Sequence, residues 1–471
     1  MILNHKGQED MNHKRHDKNH KGHEVHKVGL CRVAFVVCVC FVVLHFVAAA
    51  LVVAQAPTPA GPGAVTALVG ARVIDGTGRP PLEQATVLVS NGRIQAVGAP
   101  AAVQVPAGAT RIDLSGKTIM PGMVNAHAHL NVERGAAMPV REDLIRRLRM
   151  YAEYGVTTAV SLGSTEADEL EGIKLRDEQE RGALDRARLY TGGLNAVGKI
   201  ADEARKSVDR LADLKVDIIK FHINGNPNDM TTETWSAIID ESRKRRLRTA
   251  VHIFYEKDAK AAVDKGVDIL AHSIRDKDVD PAFVAELKRR GIGYIPTLTR
   301  DLSVYVYETT PAFFKDPFFL RGSSLYREGV EQLSKPANQE KVRNDKQAQD
   351  IKPALQQALK NLKILSNAGV PIAMGTDSGA SGNPGRWQGY FEHTELEMMV
   401  QAGLSPMQAI VAATGGAARV MKVNPQIGTL EAGKMADLLV LDANPLADIR
   451  NTRRINGVWI GGHRLAVAGV N

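Results

Sequence analysis

The sequence predicts an α/β chain, a (β/α)8 TIM barrel with a small β-sandwich domain built from both ends of the chain. Three observations carry this expectation. Between residues 119 and 425, eight short apolar runs alternate with stretches of helical period, the pattern of parallel strands joined by helices. Five of the eight runs carry His, Lys or Asp at or next to their C-terminal end, and the functional groups of such barrels sit at the C-terminal strand ends. Segments of strand pattern with turn signals flank this region, over 66–118 and 426–471.

Composition narrows the function. At 471 residues the chain is too long for one ordinary core but fits a large barrel with a smaller domain. The formal charge of +8 is spread along the chain. No basic stripe interleaved with aromatics follows the N-terminal tail, so nucleic acid is not an expected partner. Cys31, Cys38 and Cys40 lie in one apolar segment, and everything after them is cysteine-free. That excludes a disulfide framework and a thiolate metal site from the body of the protein, and any metal there takes nitrogen and oxygen ligands.

Residues 1–56 read as a polar Lys/His tail followed by an apolar run, Val33 to Val53, that opens after Arg32. A positive flank, an apolar stretch and then small residues are the layout of a secretory signal. Cleavage after Ala48-Ala49-Ala50 or Ala54-Gln55-Ala56 predicts an exported protein, periplasmic or secreted. The run is also long enough to span a bilayer. An anchor formed by residues 33–53 is therefore the rival reading, and membrane contact is expected only in that case. A Pro/Gly/Ala linker occupies 57–65, and short β segments follow, with Asn91-Gly92 as a hairpin turn.

The first barrel strand ends in Asn125-Ala126-His127-Ala128-His129, where side-chain alternation puts both imidazoles on one face. A helix through Glu142 to Tyr154 leads to a strand at Thr158 to Ser161, and the third strand is Arg188 to Thr191. The fourth, Val216 to Phe221, carries Lys220; the fifth ends at His252 and the sixth at His272. The seventh runs Gly293 to Thr297, and the eighth, Ile372 to Asp377, follows a long helix. Between them, about residues 300–350, lies an aromatic-rich insertion that reads as a lid, or as an extra helix packed on the outside.

Four strand-end histidines with a carboxylate suit zinc or a similar divalent ion, whose bound water loses its proton near neutral pH. Asp377 is placed to take that proton and pass it to a leaving group. Lys220, in an apolar run, has the setting of a neutral amine, and such an amine can add carbon dioxide to give a carbamate that bridges two metals. His222, Tyr294 and Arg386 are the candidate substrate contacts, Arg386 through the fork of its guanidinium on a carboxylate.

These motifs resemble the amidohydrolase superfamily, and within it the imidazolonepropionase-like and Xaa-Pro or Xaa-Arg dipeptidase-like enzymes. The matching stretches are Pro121-Gly122-Met123-Val124-Asn125-Ala126-His127-Ala128-His129, Ile219-Lys220, Val251-His252, Ala271-His272, Gly375-Thr376-Asp377-Ser378-Gly379 and Ile427-Gly428-Thr429 through Asp437. The resemblance implies a two-metal hydrolase. In it His127, His129 and Asp377 hold one divalent ion, His252 and His272 the other, and carboxylated Lys220 bridges them. Imidazolonepropionase has one metal and lacks the lysine, so Lys220 favours the dipeptidase side. The segment Phe221-His222-Ile223-Asn224 departs from the small, Gly-rich sequence of many relatives, which bears on substrate and not on metal.

The expected activity is cleavage of an amide bond in a dipeptide or N-acyl amino acid by a metal-activated hydroxide, in a homo-oligomer with a small peptide-like substrate. Two alternatives stand beside it: a cyclic-amide hydrolase or deaminase of the same superfamily, and a membrane-anchored protein that holds metal without catalysis.

Overall fold

The computed structural model describes residues 63–132, 138–226 and 228–466. The expected signal or anchor, 33–53, lies outside them. Among the described residues no helix is long and apolar enough to cross a membrane.

The fold is α/β. The chain opens with β1 (Val65–Val73), β2 (Leu82–Ser90), β3 (Arg93–Gly98), β4 (Thr110–Asp113) and β5 (Thr118–Pro121). The turn from β2 to β3 is Asn91-Gly92, with both residues at positive φ, 50° and 74°, as a two-residue hairpin requires. Seven strands then alternate with helices: β6 (Met123–Ala128), β7 (Val156–Ser161), β8 (Arg188–Thr191), β9 (Ile219–His222), β10 (Thr249–His252), β11 (Ile269–Ala271) and β12 (Gly293–Ile295). The chain closes with β13 (Leu438–Leu441), β14 (Ile455–Ile460) and β15 (His463–Arg464).

Both ends meet in one mixed sheet of eight strands, ordered β15-β14-β13-β5-β1-β2-β3 with β4 on β1. The expected sandwich takes the form of this sheet. Leu68, Val87, Ile94, Ile119, Leu438 and Trp459 gather into one apolar cluster on it. Strand β5 belongs here, paired antiparallel with β13, so the parallel region starts at Met123 and not at residue 119. Apolar alternation could not separate β5 from β6, because both strands are buried throughout.

The parallel strands form two sheets, β6-β7-β8 and β9-β10-β11-β12. The expected eighth strand is not a regular strand. Its segment makes isolated parallel bridges, Ile372 to Tyr294 on one side and Ser378 to Ala128 on the other. On the far side, Asp217 N donates to Thr191 O at 2.9 Å, joining the approach to β9 with the end of β8. Alternate strand residues fall into two layers. Val124, Val160, Ile218, Ala250, Ile269 and Ile295 pack together among the strands. Phe221, Val251, Leu270 and Tyr294 share a cluster with the helices.

The insertion after β12 is helical, with segments Leu298–Tyr305, Pro317–Leu320, Ser323–Leu333 and Pro336–Asn344. Most of its aromatics pack inward, and Tyr326 borders the cavity beside Arg386. Phe314, Phe319 and Tyr326 pack around Trp387 at ring separations of 5.7, 5.2 and 5.0 Å. The hydroxyls of Tyr307 and Tyr326 donate to the carbonyls of Gly385 and Gln388. The insertion thus fixes the loop that follows Asp377.

A buried ion pair ties the mixed sheet to β8. Arg188 Nε donates to Asp437 Oδ2 at 2.7 Å, and each side chain is only 4% exposed. Asp437 Oδ1 also accepts from Gly461 N at 2.7 Å. Asp437→Ala leaves the guanidinium with only the exposed Glu180. Urea denaturation should show a loss of about 3 kcal/mol, the low end for a broken buried pair. A loss below about 1 kcal/mol would mean that the pair does not hold the sheet in place.

Candidate metal centre

The candidate residues converge at the C-terminal ends of the parallel strands. Donor atoms of His127, His129 and Asp377 all lie within 4.8 Å of one another. His129 Nε2 is 2.8 Å and His127 Nε2 3.2 Å from Asp377 Oδ1. Lys220 Nζ lies 3.4 Å from His127 Nε2. The His272 ring is 4.7 Å from His127 and 4.3 Å from His252, and His222 stacks on His252 at 4.7 Å. The grouping within 4.8 Å does not extend to His252 and His272 among the described residues.

Strand alternation explains Lys220, His222 and His252, which share parity with Ile218 and Ala250 of the inner layer. It does not explain His272. Leu270, two residues earlier, faces the helices, and period two would send His272 the same way. The backbone of His272 is left-handed, with φ 71°, and this re-aims the ring inward onto Thr297 Oγ1, 2.6 Å from Nδ1. Thr297 and Asp377, at φ 48° and 58°, share the device. Non-glycine residues in this region cost on the order of 1 kcal/mol each, and such strain gathers at functional sites.

A second set of contacts holds these positions. Glu392, fully buried, accepts at Oε1 from Asn125 Nδ2 at 2.6 Å and from the Thr376 and Ser378 hydroxyls at 2.8 Å. Asn125 Oδ1 in turn accepts from His127 N at 2.9 Å. One carboxyl therefore braces both sides of Asp377 and the residue that presents His127. Gly375 permits the close approach, since a Cβ there would meet His127 Cβ at 2.7 Å and Ile295 Cγ2 at 2.5 Å.

The electrostatics suit a cation. Burial, then the Lys220 charge, lowers His127 to about 3, and burial lowers His222 to about 3. Burial holds His252 and His272 well below the usual imidazole value. Burial likewise brings Lys220 down to about 7, so a neutral amine is accessible. Burial opposes ionisation of Asp377, but Arg386 and the hydrogen bonds of His127 and His129 outweigh it and hold the carboxyl well below its ordinary range. His129 sits between two acceptors, with Nδ1 2.9 Å from Gly163 O and Nε2 2.8 Å from Asp377 Oδ1. Neutral imidazoles, an ionised carboxylate and a buried amine are a donor set that fits a divalent ion of the zinc type.

Two substrate expectations change. Tyr294 is fully buried in the helix-facing layer, and its hydroxyl accepts from Ile274 N at 2.9 Å. It does not face the centre, because its neighbour Ile295 takes the inward position. Arg386 does reach the centre, but there it pairs through Nη1 with Asp377 Oδ2. A cavity of about 1040 Å³ beside it is also bordered by Asn131 and Arg147. Arg300 escaped sequence reasoning. Its Nε lies 3.8 Å from Asp377 Oδ2, while Nη1 donates to Asp301 at 2.8 Å. The available signal was its place three residues past Thr297, hidden because the insertion starts there as helix.

Comparison with known proteins agrees with this geometry. Ochratoxinase of Aspergillus niger is 27% identical over 278 residues, 55% of this chain and 48% of its own length. A 5-methylthioadenosine/S-adenosylhomocysteine deaminase of Bacillus cereus is 23% identical over 70% of this chain and 74% of its own. The chain spans about half the length of the ochratoxinases it matches. Among solved structures, a Bifidobacterium longum protein assigned as a prolidase superposes with TM-score 0.69 at 26% identity, covering 87% of this chain and 96% of its own. The model of the Amidohydrolase family matches residues 118–465, and the chain belongs to that family.

Proposed function

We propose that this protein is an exported, metal-dependent hydrolase that cleaves the amide bond of a dipeptide or N-acyl amino acid, on a (β/α)8 barrel flanked by a two-ended β domain. The observation that carries the reading is the meeting of His127, His129 and Asp377 within 4.8 Å, with Lys220 Nζ 3.4 Å from His127 Nε2. The barrel reading is supported by the two parallel sheets and the bridges of Ile372 and Ser378. Ochratoxinase and the prolidase-like fold support the amide class, and the deaminase keeps the cyclic-amide alternative open.

In this reading His127, His129 and Asp377 would hold one divalent ion, most simply zinc, His252 and His272 would hold a second, and Lys220, as its carbamate, would be the ligand they share. Bound there, the ions polarise the scissile carbonyl and make water acidic enough to react near neutral pH. Asp377 would accept a proton from the attacking water and deliver it to the leaving nitrogen. Its Oδ1 faces the two imidazoles while Oδ2 faces Arg386, so the arginine orients the carboxylate and remains beside the substrate. His222, against His252, lines the same side.

Export rests on the pattern of residues 32–56. Protein from its native host should have an intact mass lacking the apolar run; a mass that retains residues 33–53 points to the anchor.

Elemental analysis of protein prepared with bicarbonate should give about two divalent ions per chain. Lys220→Ala should lose metal and activity together, with partial recovery on adding a short carboxylic acid. A stable single ion with full activity would remove Lys220 from the bridging role.

Hydrolysis should be measured over dipeptides, N-acyl amino acids, lactones and cyclic ureides, with turnover expected in the first two groups. Arg386→Ala should raise KM for free acids more than for their amides, by the ~1.5–3 kcal/mol of a charge-assisted contact. Equal losses on acid and amide would mean that Arg386 acts only through Asp377. Turnover confined to cyclic ureides would replace the proposal with the cyclic-amide reading.

A further inference from the structure

A second cavity lies at the other end of the parallel strands. It encloses about 360 Å³, within the range of small-molecule sites. Arg248 borders it just ahead of β10, whereas His252 ends that strand, a separation of about 13 Å at ~3.3 Å per residue. The cavity is thus outside the metal centre. Its apolar wall includes Val160, Ile218 and Val423, and its rim carries Arg246, Arg248 and Lys422.

The cations are placed at a conformational cost. Helices Glu256–Lys265, Pro281–Arg290 and Lys346–Ala368 end in left-handed Gly266, Gly291 and Gly369. Glycine is the residue that this position favours. The two helices that end beside the cavity do otherwise, as does Ala201–Asp213, which is followed by Lys215 at φ 57° outside the cavity lining. Arg246, just past Thr232–Lys244, has φ 59°, and Lys422, capping Gly415–Met421, has φ 62°. A cation near a helix C-terminus gains from the macrodipole, but Lys or Arg in the last turn gains it without the left-handed strain.

Both side chains are exposed at the rim, with water as their present partner. Among the described residues the side chains of Arg246 and Lys422 have no hydrogen bond or ion pair. The acid on the rim, Asp217, is already engaged, accepting from Arg176 Nη1 at 2.8 Å and Thr191 N at 2.7 Å. Arg248 has Asp268 at 3.5 Å and donates to Val420 O. Tyr190 lines the same space, and burial pushes its phenol up to about 12, which keeps it a neutral donor.

We propose that this cavity binds a small organic carboxylate, with its head between Arg246 and Lys422 and a short apolar tail against Val160, Ile218 and Val423. A guanidinium and an ammonium supply charge-assisted donors to the head, and the wall excludes a tail that needs water.

The test is calorimetry on the metal-loaded protein with hexanoate, hexanamide and inorganic phosphate. The variant is Arg246→Gly with Lys422→Gly. Glycine removes both cations while easing the backbone, so the variant should melt no lower than the parent and hydrolyse substrate at the parental rate. Hexanoate should bind the parent saturably, and the variant at least tenfold more weakly; hexanamide should give no binding. Hexanoate affinity unchanged in the variant would place the anion at the metal centre and overturn the proposal. Hexanamide binding as well as hexanoate would overturn the charge argument, and phosphate binding as tightly would overturn the carboxylate class.

Discussion

The structure turns on keeping one carboxylate charged where water is scarce. The Asp377 side chain is 9% exposed, and an isolated buried carboxylate would take up a proton. Two imidazoles meet its Oδ1, and Arg386 meets its Oδ2. Arg300 stands behind, itself balanced by Asp301, which also faces Arg275 at 3.1 Å. Charges alternate along this line, so no single ion is left uncompensated. Several other features serve that arrangement: the Glu392 brace, the approach at Gly375 and the insertion that fixes the following loop.

Most of the residues that meet at this centre were legible because chemistry and period coincide. His127, Lys220 and His252 fall at strand ends in a βα rhythm, and neutral nitrogen donors beside a carboxylate have few other uses. The substrate side was less legible. Tyr294 looked inward only until Ile295 took that position, since parity cannot be read from a run that is apolar on both faces. His272 reached the centre through a left-handed residue that no period predicts. Arg300 lay at the start of the expected insertion, past the end of the seventh strand, and Glu392 lies in the helix Tyr390–Gln401, far from any motif. The insertion was visible as an interruption, but its aromatic residues turned out to be its own core.

The proteins that resemble this chain carry different names over a shared framework, which is common for barrel enzymes whose loops set the substrate. Here the insertion and the loop from Ser378 to Gly389 are locked together by Tyr307 and Tyr326. A change in either would shift Arg386, and through it the carboxylate at the centre.

The two-ended sheet has a consequence for how the chain comes to its fold. Strand β5 pairs with β13, and Lys117 meets Asp442 across 325 residues of sequence. While the chain is being made, the edge of β5 stays open until nearly the whole protein has been synthesised. An open, buried-type strand edge is a template for association with other chains. Contacts this distant also slow folding, because loop closure must precede the gain from pairing. Strand β13 therefore acts as a closing clasp, and a chain cut ahead of Leu438 would expose β5 rather than merely shorten the protein.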